Sequence, residues 1–388
     1  MLKRVCILTV GVFAIVAAAP AVSAAYPMFT PSACSWHVIP SPNAVTDGND
    51  LYAVTAISPT DAWAGGYYVT GGVDQPLFEH WNGTTWTVVP GPNPGYSFIY
   101  SMTAIATNDV WAVGAVFDTT HSVYFNLSEH WDGTAWSIVG VPDNGYVNNF
   151  LYGVSATSSI NIVTVGAYNK MPSVRKTQVG IWNTGGSWLL GPGPDKGTGT
   201  NVLTGVAMIT PINAWAVGIY SVGTIPQTLA EHYNGTKWKV VATPDVNSNN
   251  NLLNAVSAVS AKDVWAVGDY YNGSVFQTLA ENYNGTSWSI VSSPSMGTES
   301  TAVFASTVVS KTDVWAGGEG YGSTFGAPFS MNWNGTAWSA VTTPSVGPND
   351  SWINGMGKVP GTKNVWAVGG TSNSDHSINQ TMILEFHC

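Results

Sequence analysis

Charge is what this sequence has least of. Only 9% of its 388 residues are Asp, Glu, Lys or Arg, against roughly 25% in an ordinary globular chain. Lys and Arg together number 12 against 22 Asp and Glu, a formal net charge of −10. That balance gives nucleic-acid backbones and anionic membrane surfaces little to hold, so neither is an expected partner. Arginine is nearly missing: Arg4 and Arg175 are the two, and Arg4 falls in the N-terminal leader. Cysteine is confined to Cys6, Cys34 and Cys388. Helix-forming Glu, Lys and Arg are scarce, which disfavours a helical fold. After residue 25 no apolar run approaches the roughly 20 residues of a membrane span, so no membrane insertion is expected.

The one long apolar run is "VCILTVGVFAIVAAA", preceded by Lys3-Arg4 and followed by the small residues "AVSAA". This order is that of a secretory signal peptide, expected to span residues 1–25 with cleavage near Ala24. The mature protein is then expected to be secreted, extracellular and able to form disulfides. Cys6 would leave with the leader.

What remains is rich in Gly, Trp, Tyr, Thr and Asn, and it repeats. "DAWAGG" at 61, "DVWAVG" at 109, "NIVTVG" at 161, "NAWAVG" at 213, "DVWAVG" at 263, "DVWAGG" at 313 and "NVWAVG" at 364 are seven copies of one unit. Their central positions, 63, 111, 163, 215, 265, 315 and 366, stand 48 to 52 residues apart. A second signature, such as "EHWNGTTW", follows each of the first six. Within a unit, "LYAVTAIS", "AWAGGYY", "LFEHW" and "TTWTVVP" read as four short strands. A "PTD" turn, a longer loop and an Asn-Gly hairpin, with both turn residues at positive φ, join them. Four strands at this period describe an all-β fold, a seven-bladed β-propeller of four-stranded blades in one domain over residues 26–388.

The ends complete the seventh blade. "MILEFHC" stops after a third strand, while "CSWHVIPSP" near the mature N-terminus matches a fourth. Aligning Glu385 with Glu79 puts Cys388 at the slot of Asn82, and aligning Trp36 with Trp86 puts Cys34 at the slot of Thr84. Blade 7 is therefore expected to combine the C-terminal segment with residues 34–42, closing the ring. A Cys34–Cys388 disulfide across the missing turn would stabilise the seam by about 5 kcal/mol in the chain-entropy model.

Strand two ending in Gly-Gly or Val-Gly, then an aromatic and a Trp before an apolar strand and Pro, is similar to the kelch repeat and to galactose-oxidase-like propellers. The resemblance covers residues 34–388 and implies a scaffold for binding more often than for catalysis. The double glycine is complete only at Gly65-Gly66, Gly317-Gly318 and Gly369-Gly370.

Short turns joining strands one to two and three to four share one face. The other face carries loops that differ in every blade, which is where recognition is expected on a rigid scaffold. There Tyr68, Tyr168, Tyr220 and Tyr270, each two residues past the strand-two glycine, are expected to ring the channel mouth. Asp269 and Glu319 occupy one slot in neighbouring blades, with Gln227 and Gln277 nearby. Tyrosines with amides and carboxylates suit a neutral sugar, whose ring stacks while its hydroxyls need donors and acceptors. A protein partner is the other expectation. The repeated Trp residues are assigned to packing between blades, and His80, His130 and His232 to a recurring structural hydrogen bond.

Two enzyme chemistries found on such propellers are disfavoured by missing residues. One mature arginine cannot form the cluster that binds a sialidase carboxylate, and both mature cysteines are committed to the seam rather than to a tyrosine crosslink. No metal or cofactor is expected. The reading is a monomeric, non-catalytic binding propeller recognising a protein or neutral glycan through its variable face. The alternative is a carbohydrate-active enzyme using Asp269 and Glu319 as its carboxylate pair.

Overall fold

The computed structural model describes residues 34–144, 147–171, 174–322, 325–347, 349–373 and 379–387. The expected leader and Cys388 lie outside them. Twenty-eight strands form seven four-stranded antiparallel sheets, and the described residues contain no helix. In blade 1 the strands run Asn49–Ser58, Asp61–Thr70, Val73–Trp81 and Trp86–Val88, from inside to outside. Blades 2 to 6 repeat this order over 97–138, 147–192, 201–241, 251–291 and 301–341. Blade 7 takes Ser351–Lys358, Val365–Ser372 and Asn379–His387 from the C-terminal end, and its outer strand is Ser35–Ile39. The chain is a closed seven-bladed propeller.

The seam register differs from the sequence alignment by one residue. His80 faces Trp63 and Glu385 faces Trp366, so Glu385 takes the slot of His80 and Leu384 that of Glu79. A hydrogen bond explains the swap. His80 pairs with Asp61 at 2.9 Å, His130 with Asp109 at 2.9 Å and His232 with Asn213 at 3.1 Å. Asn282–Asp263 and Asn332–Asp313 repeat the bond, and in blade 7 Asn364 donates to Glu385 at 3.0 Å, with acidic and amide partners exchanged. Ser35 then faces His387 as Thr85 faces Asn82. By sequence, Cys34 and Cys388 fall to the two loop residues of this hairpin, and their bond stays a proposal.

Blades hold together through tryptophan. Each strand-two Trp meets the outer-strand Trp of the next blade edge-on, as in Trp63–Trp136 at 5.3 Å and Trp265–Trp338 at 5.2 Å. The contact runs through the closure: Trp315 meets Trp36 at 5.3 Å, and Trp366 meets Trp86 at 5.2 Å. Val163 takes the Trp slot in blade 3 and packs in one cluster with Trp238. An indole burying roughly 200 Å² contributes about 5 kcal/mol of gross transfer energy.

The strand-two glycine has a separate cause. A Cβ on Gly66 would overlap the Asp50 carbonyl oxygen of the inner strand, and Gly114, Gly166, Gly218, Gly268, Gly318 and Gly369 are pressed in the same way.

Turns one-to-two and three-to-four meet on one face, where Trp81 donates to the Pro59 carbonyl at 3.1 Å and Gly83 lies against Thr60. The hairpins there differ in detail from expectation. Only the glycine has positive φ (Gly83, 95°), while the Asn82 carboxamide oxygen accepts from the Thr84 and Thr85 N–H groups. The Asn side chain caps the loop. In blade 1 the expected long loop between strands two and three is a two-residue Gly71-Gly72 turn, both at positive φ, with the strands extended to meet it.

Candidate functional site

The inner strands surround the axis, and each carries a register shift at one equivalent place, with further shifts in blades 1 to 6. Pairing with strand two skips a residue at Tyr52, Tyr100, Tyr152, Thr204, Asn254, Phe304 and Asn354. Such a β-bulge leaves its extra residue out of the ladder and re-aims its side chain. Six of the seven, all but Tyr100, line an axial cavity of 130 Å³ with Met102 and Met356.

The ring of bulges is not symmetric. On one side, polar residues tie each blade to the next. The Thr204 hydroxyl donates to the Leu253 carbonyl at 2.9 Å, the Asn254 amide to Val303 at 2.8 Å, and the Asn354 amide to Leu51 at 3.0 Å. On the other side stand rings. Tyr52, Tyr100 and Tyr152 follow one another at 5.9 and 5.4 Å. Phe98 and Phe150 stack on Tyr100 and Tyr152, at 6.0 and 5.6 Å. The series continues outward over the variable face as Phe150–Tyr124 at 4.9 Å, Tyr124–Phe117 at 4.8 Å and Phe117–Tyr96 at 6.4 Å. The Arg175 guanidinium lies 5.3 Å from the Phe150 ring centre. Burial pushes Tyr152 up to about 12 and Tyr100 well above its ordinary value, so both hydroxyls stay protonated. The Tyr100 hydroxyl is buried without a hydrogen-bond partner among the described residues.

The expected tyrosines lie elsewhere. Strand two is one step out from the axis, so its side chains enter the seams between blades. Tyr68, Tyr220 and Tyr270 pack at the edges of inter-blade clusters, and Tyr168 is 4% exposed. None of the four lines the axial cavity. Tyr220 and Tyr270 face Gln227 and Gln277 across the hairpin, and the same pairing puts the Tyr68 hydroxyl on Gln75 at 2.7 Å. Gln227 donates to the Asn249 carbonyl at 2.7 Å and Gln277 to Gly297 at 3.3 Å, which pins the adjoining loops.

Asp269 and Glu319 do share a slot in neighbouring blades, 1% and 2% exposed. Asp269 accepts from the Asn254 amide at 3.0 Å, and burial pushes its carboxyl up to about 7. Another buried carboxyl, unexpected from sequence, is Asp50. It accepts from Asn354 at 3.1 Å and Trp352 at 3.3 Å across the closure.

No protein-family profile matches the sequence, and no curated protein matches it either. Solved structures do match. YCF48 bound to a D1 peptide superposes with a TM-score of 0.56 at 12% identity, covering 94% of this chain and all of that one. A polysaccharide lyase, the PL25 ulvan lyase bound to -[GlcA(1-4)Rha3S]-, gives 0.51 at 10% identity, covering 87% and 94%. At such identities the likeness is one of fold. It is a likeness to propellers, without kelch-specific evidence.

Proposed function

We propose that this chain is a secreted, non-catalytic binding propeller, and that its ligand is a neutral glycan held at the aromatic side of the variable face. The observation that carries this is the unbroken series of rings from Tyr96 to the axial tyrosines. Sugar rings stack their C–H faces on such rings, and their hydroxyls need donors and acceptors at the edges. Tyr124, Arg175 and Asp74 supply those edges. The fold neighbours are compatible with this reading only in kind, since one was solved with a peptide and the other with a polysaccharide.

A glycan array with the mature protein tests it. Tyr124 and Phe117 are half-buried, so Tyr124→Ala with Phe117→Ala should abolish array binding while changing the melting temperature little. A blank array, beside a specific protein recovered by pull-down, would instead make this a protein-binding propeller.

One observation favours the enzyme reading: burial holds the Asp269 carboxyl near neutrality, as a general acid requires. Hydrolysis or elimination of a bound glycan that disappears in Asp269→Asn would establish it.

A further inference from the structure

The described cations divide between the two faces of the disc. Lys170, Arg175, Lys176 and Lys196 stand on the variable-loop side of blade 3. The other six, Lys237, Lys239, Lys262, Lys311, Lys358 and Lys363, lie in short turns, in outer strands or, for Lys358, at the end of an inner strand of blades 4 to 7, and all six are exposed. The carboxylates of that sector are drawn inward. Asp263, Asp313 and Glu385 accept from Asn282, Asn332 and Asn364 at 2.9, 2.7 and 3.0 Å, and none is exposed. A chain poor in cations thus concentrates more than half of its described ones on one sector of one face.

A groove opens in the same sector. It has a volume of 480 Å³ and lies at the seam of blades 6 and 7, with Val309, Trp315, Val341 and Phe386 as its floor. Thr312, Asn334, Ser339 and Lys363 form its rim, and Asp313, holding the Asn332 amide at 2.7 Å, also lines it. It lies where the closure changes the repeat: Phe386 covers Trp315 where a larger Trp131 covers Trp63. The Asn334 carboxamide oxygen is used inside its own turn, so the side chain offers N–H donors outward. This volume is within the range of small-ligand sites.

We infer that this turn face, centred on the seam groove, binds a linear polyanionic glycan, with a carboxylated or sulfated sugar in the groove and flanking acid groups on Lys311, Lys358 and Lys363. The apolar floor takes the C–H face of a sugar ring, the amide and hydroxyl rim takes its oxygens, and the lysines take the charge. The acidic remainder of the molecule is repelled by the same polymer, so the disc settles with its lysine sector toward it and the variable face outward. This surface is separate from the variable-face site, and either can fail without the other.

The test uses polygalacturonate as the probe, with dextran, single-stranded DNA and phosphatidylglycerol vesicles as comparisons. The mature protein should bind polygalacturonate at about 0.1 M NaCl and release it toward 1 M, where the Debye length falls from about 10 Å to about 3 Å. Lys311→Glu with Lys363→Glu should weaken binding roughly tenfold or more. Both side chains are exposed, so the melting temperature should hold, and Lys170→Glu on the other face should change nothing. The inference is overturned by absence of binding at low salt, by undiminished binding in the double variant, or by DNA or vesicles binding as tightly as the polysaccharide.

Discussion

Alkaline pH should weaken this fold, and one substitution should recover part of the loss. Glu79, Glu129, Glu231 and Glu281 occupy one slot in the third strands of four blades, each fully buried and facing the preceding blade. The Ser41 hydroxyl donates to Glu79 at 3.1 Å, whereas neither carboxyl oxygen of Glu129 or Glu281 has a partner among the described residues. Burial pushes Glu79, Glu129 and Glu281 from 4.5 up to about 8, and Glu231 in the same direction. The folded protein therefore holds these protons more tightly than the unfolded chain. Their contribution is fully present below about pH 4.5, declines as pH rises, and is lost above about pH 8. At about 1.4 kcal/mol per pH unit, the interval from 4.5 to about 8 corresponds to about 5 kcal/mol for one glutamate. Relaxation and water entry reduce this, so several kcal/mol per site is the expected order.

Glu129→Gln keeps the shape of the neutral acid and cannot ionise. Thermal unfolding followed by circular dichroism should show parent and variant melting together near pH 5 and the variant melting higher near pH 9. Melting temperatures are the suitable readout, because a closed array of seven blades need not unfold in two states. A variant that melts lower than the parent by the same amount at both pH values would refute the reasoning, since Glu129 would then be an ionised, satisfied carboxylate in the native state.

Three further outcomes follow from the packing. Gly268→Ala forces a Cβ into the Leu252 carbonyl oxygen and should cost about 3 kcal/mol or more, seen as a large drop in melting temperature. Deleting residues 26–42 removes the outer strand of blade 7 and Trp36, which both contacts Trp315 and donates to Ser330 at 3.1 Å. The product should aggregate or melt far lower, and unchanged melting would contradict the closure. Non-reducing mass spectrometry should find Cys34 joined to Cys388, and Cys34→Ser should melt lower yet remain folded; two free thiols in oxidising medium would end that proposal.

The repeat made the architecture legible because every blade restates the same strand order, and errors in one copy are corrected by six others. The seam lacked that check. Aligning Glu385 with Glu79 matched residue names, but the slot is defined by the partner: Asn364 donates to Glu385 where Asp61 pairs with His80. Sequence assigned the recurring histidines to a structural hydrogen bond without naming its partner, so the exchange of the two halves in blade 7 went unseen. The candidate site was less legible for a geometric reason. Counting from the strand-two glycine selected Tyr68, Tyr168, Tyr220 and Tyr270, which alternation sends into the seams, whereas the axis belongs to the inner strand and its bulges. A signal existed in Leu51-Tyr52, Ile99-Tyr100 and Leu151-Tyr152, where two large apolar residues in succession break the period of two.

The bulge ring suggests why the aromatic side can specialise. In blades 4, 5 and 7 the bulge residue is part of the scaffold, because Thr204, Asn254 and Asn354 each donate to the neighbouring inner strand. In blades 1 to 3 that bond is replaced by rings packing on rings. The blades there are still joined by other means, since Thr55 accepts from the Ala104 N–H at 3.1 Å and Ser101 from the Val154 N–H at 3.2 Å. Closure between those blades therefore does not depend on the identity of the residues at 52, 100 and 152. Ring-to-ring contacts tolerate changes of shape better than a buried amide tolerates loss of its acceptor. Aromatic residues can accumulate at these three positions without opening the ring, whereas the same substitution at Asn254 would strand the Val303 carbonyl and the Asp269 carboxyl together.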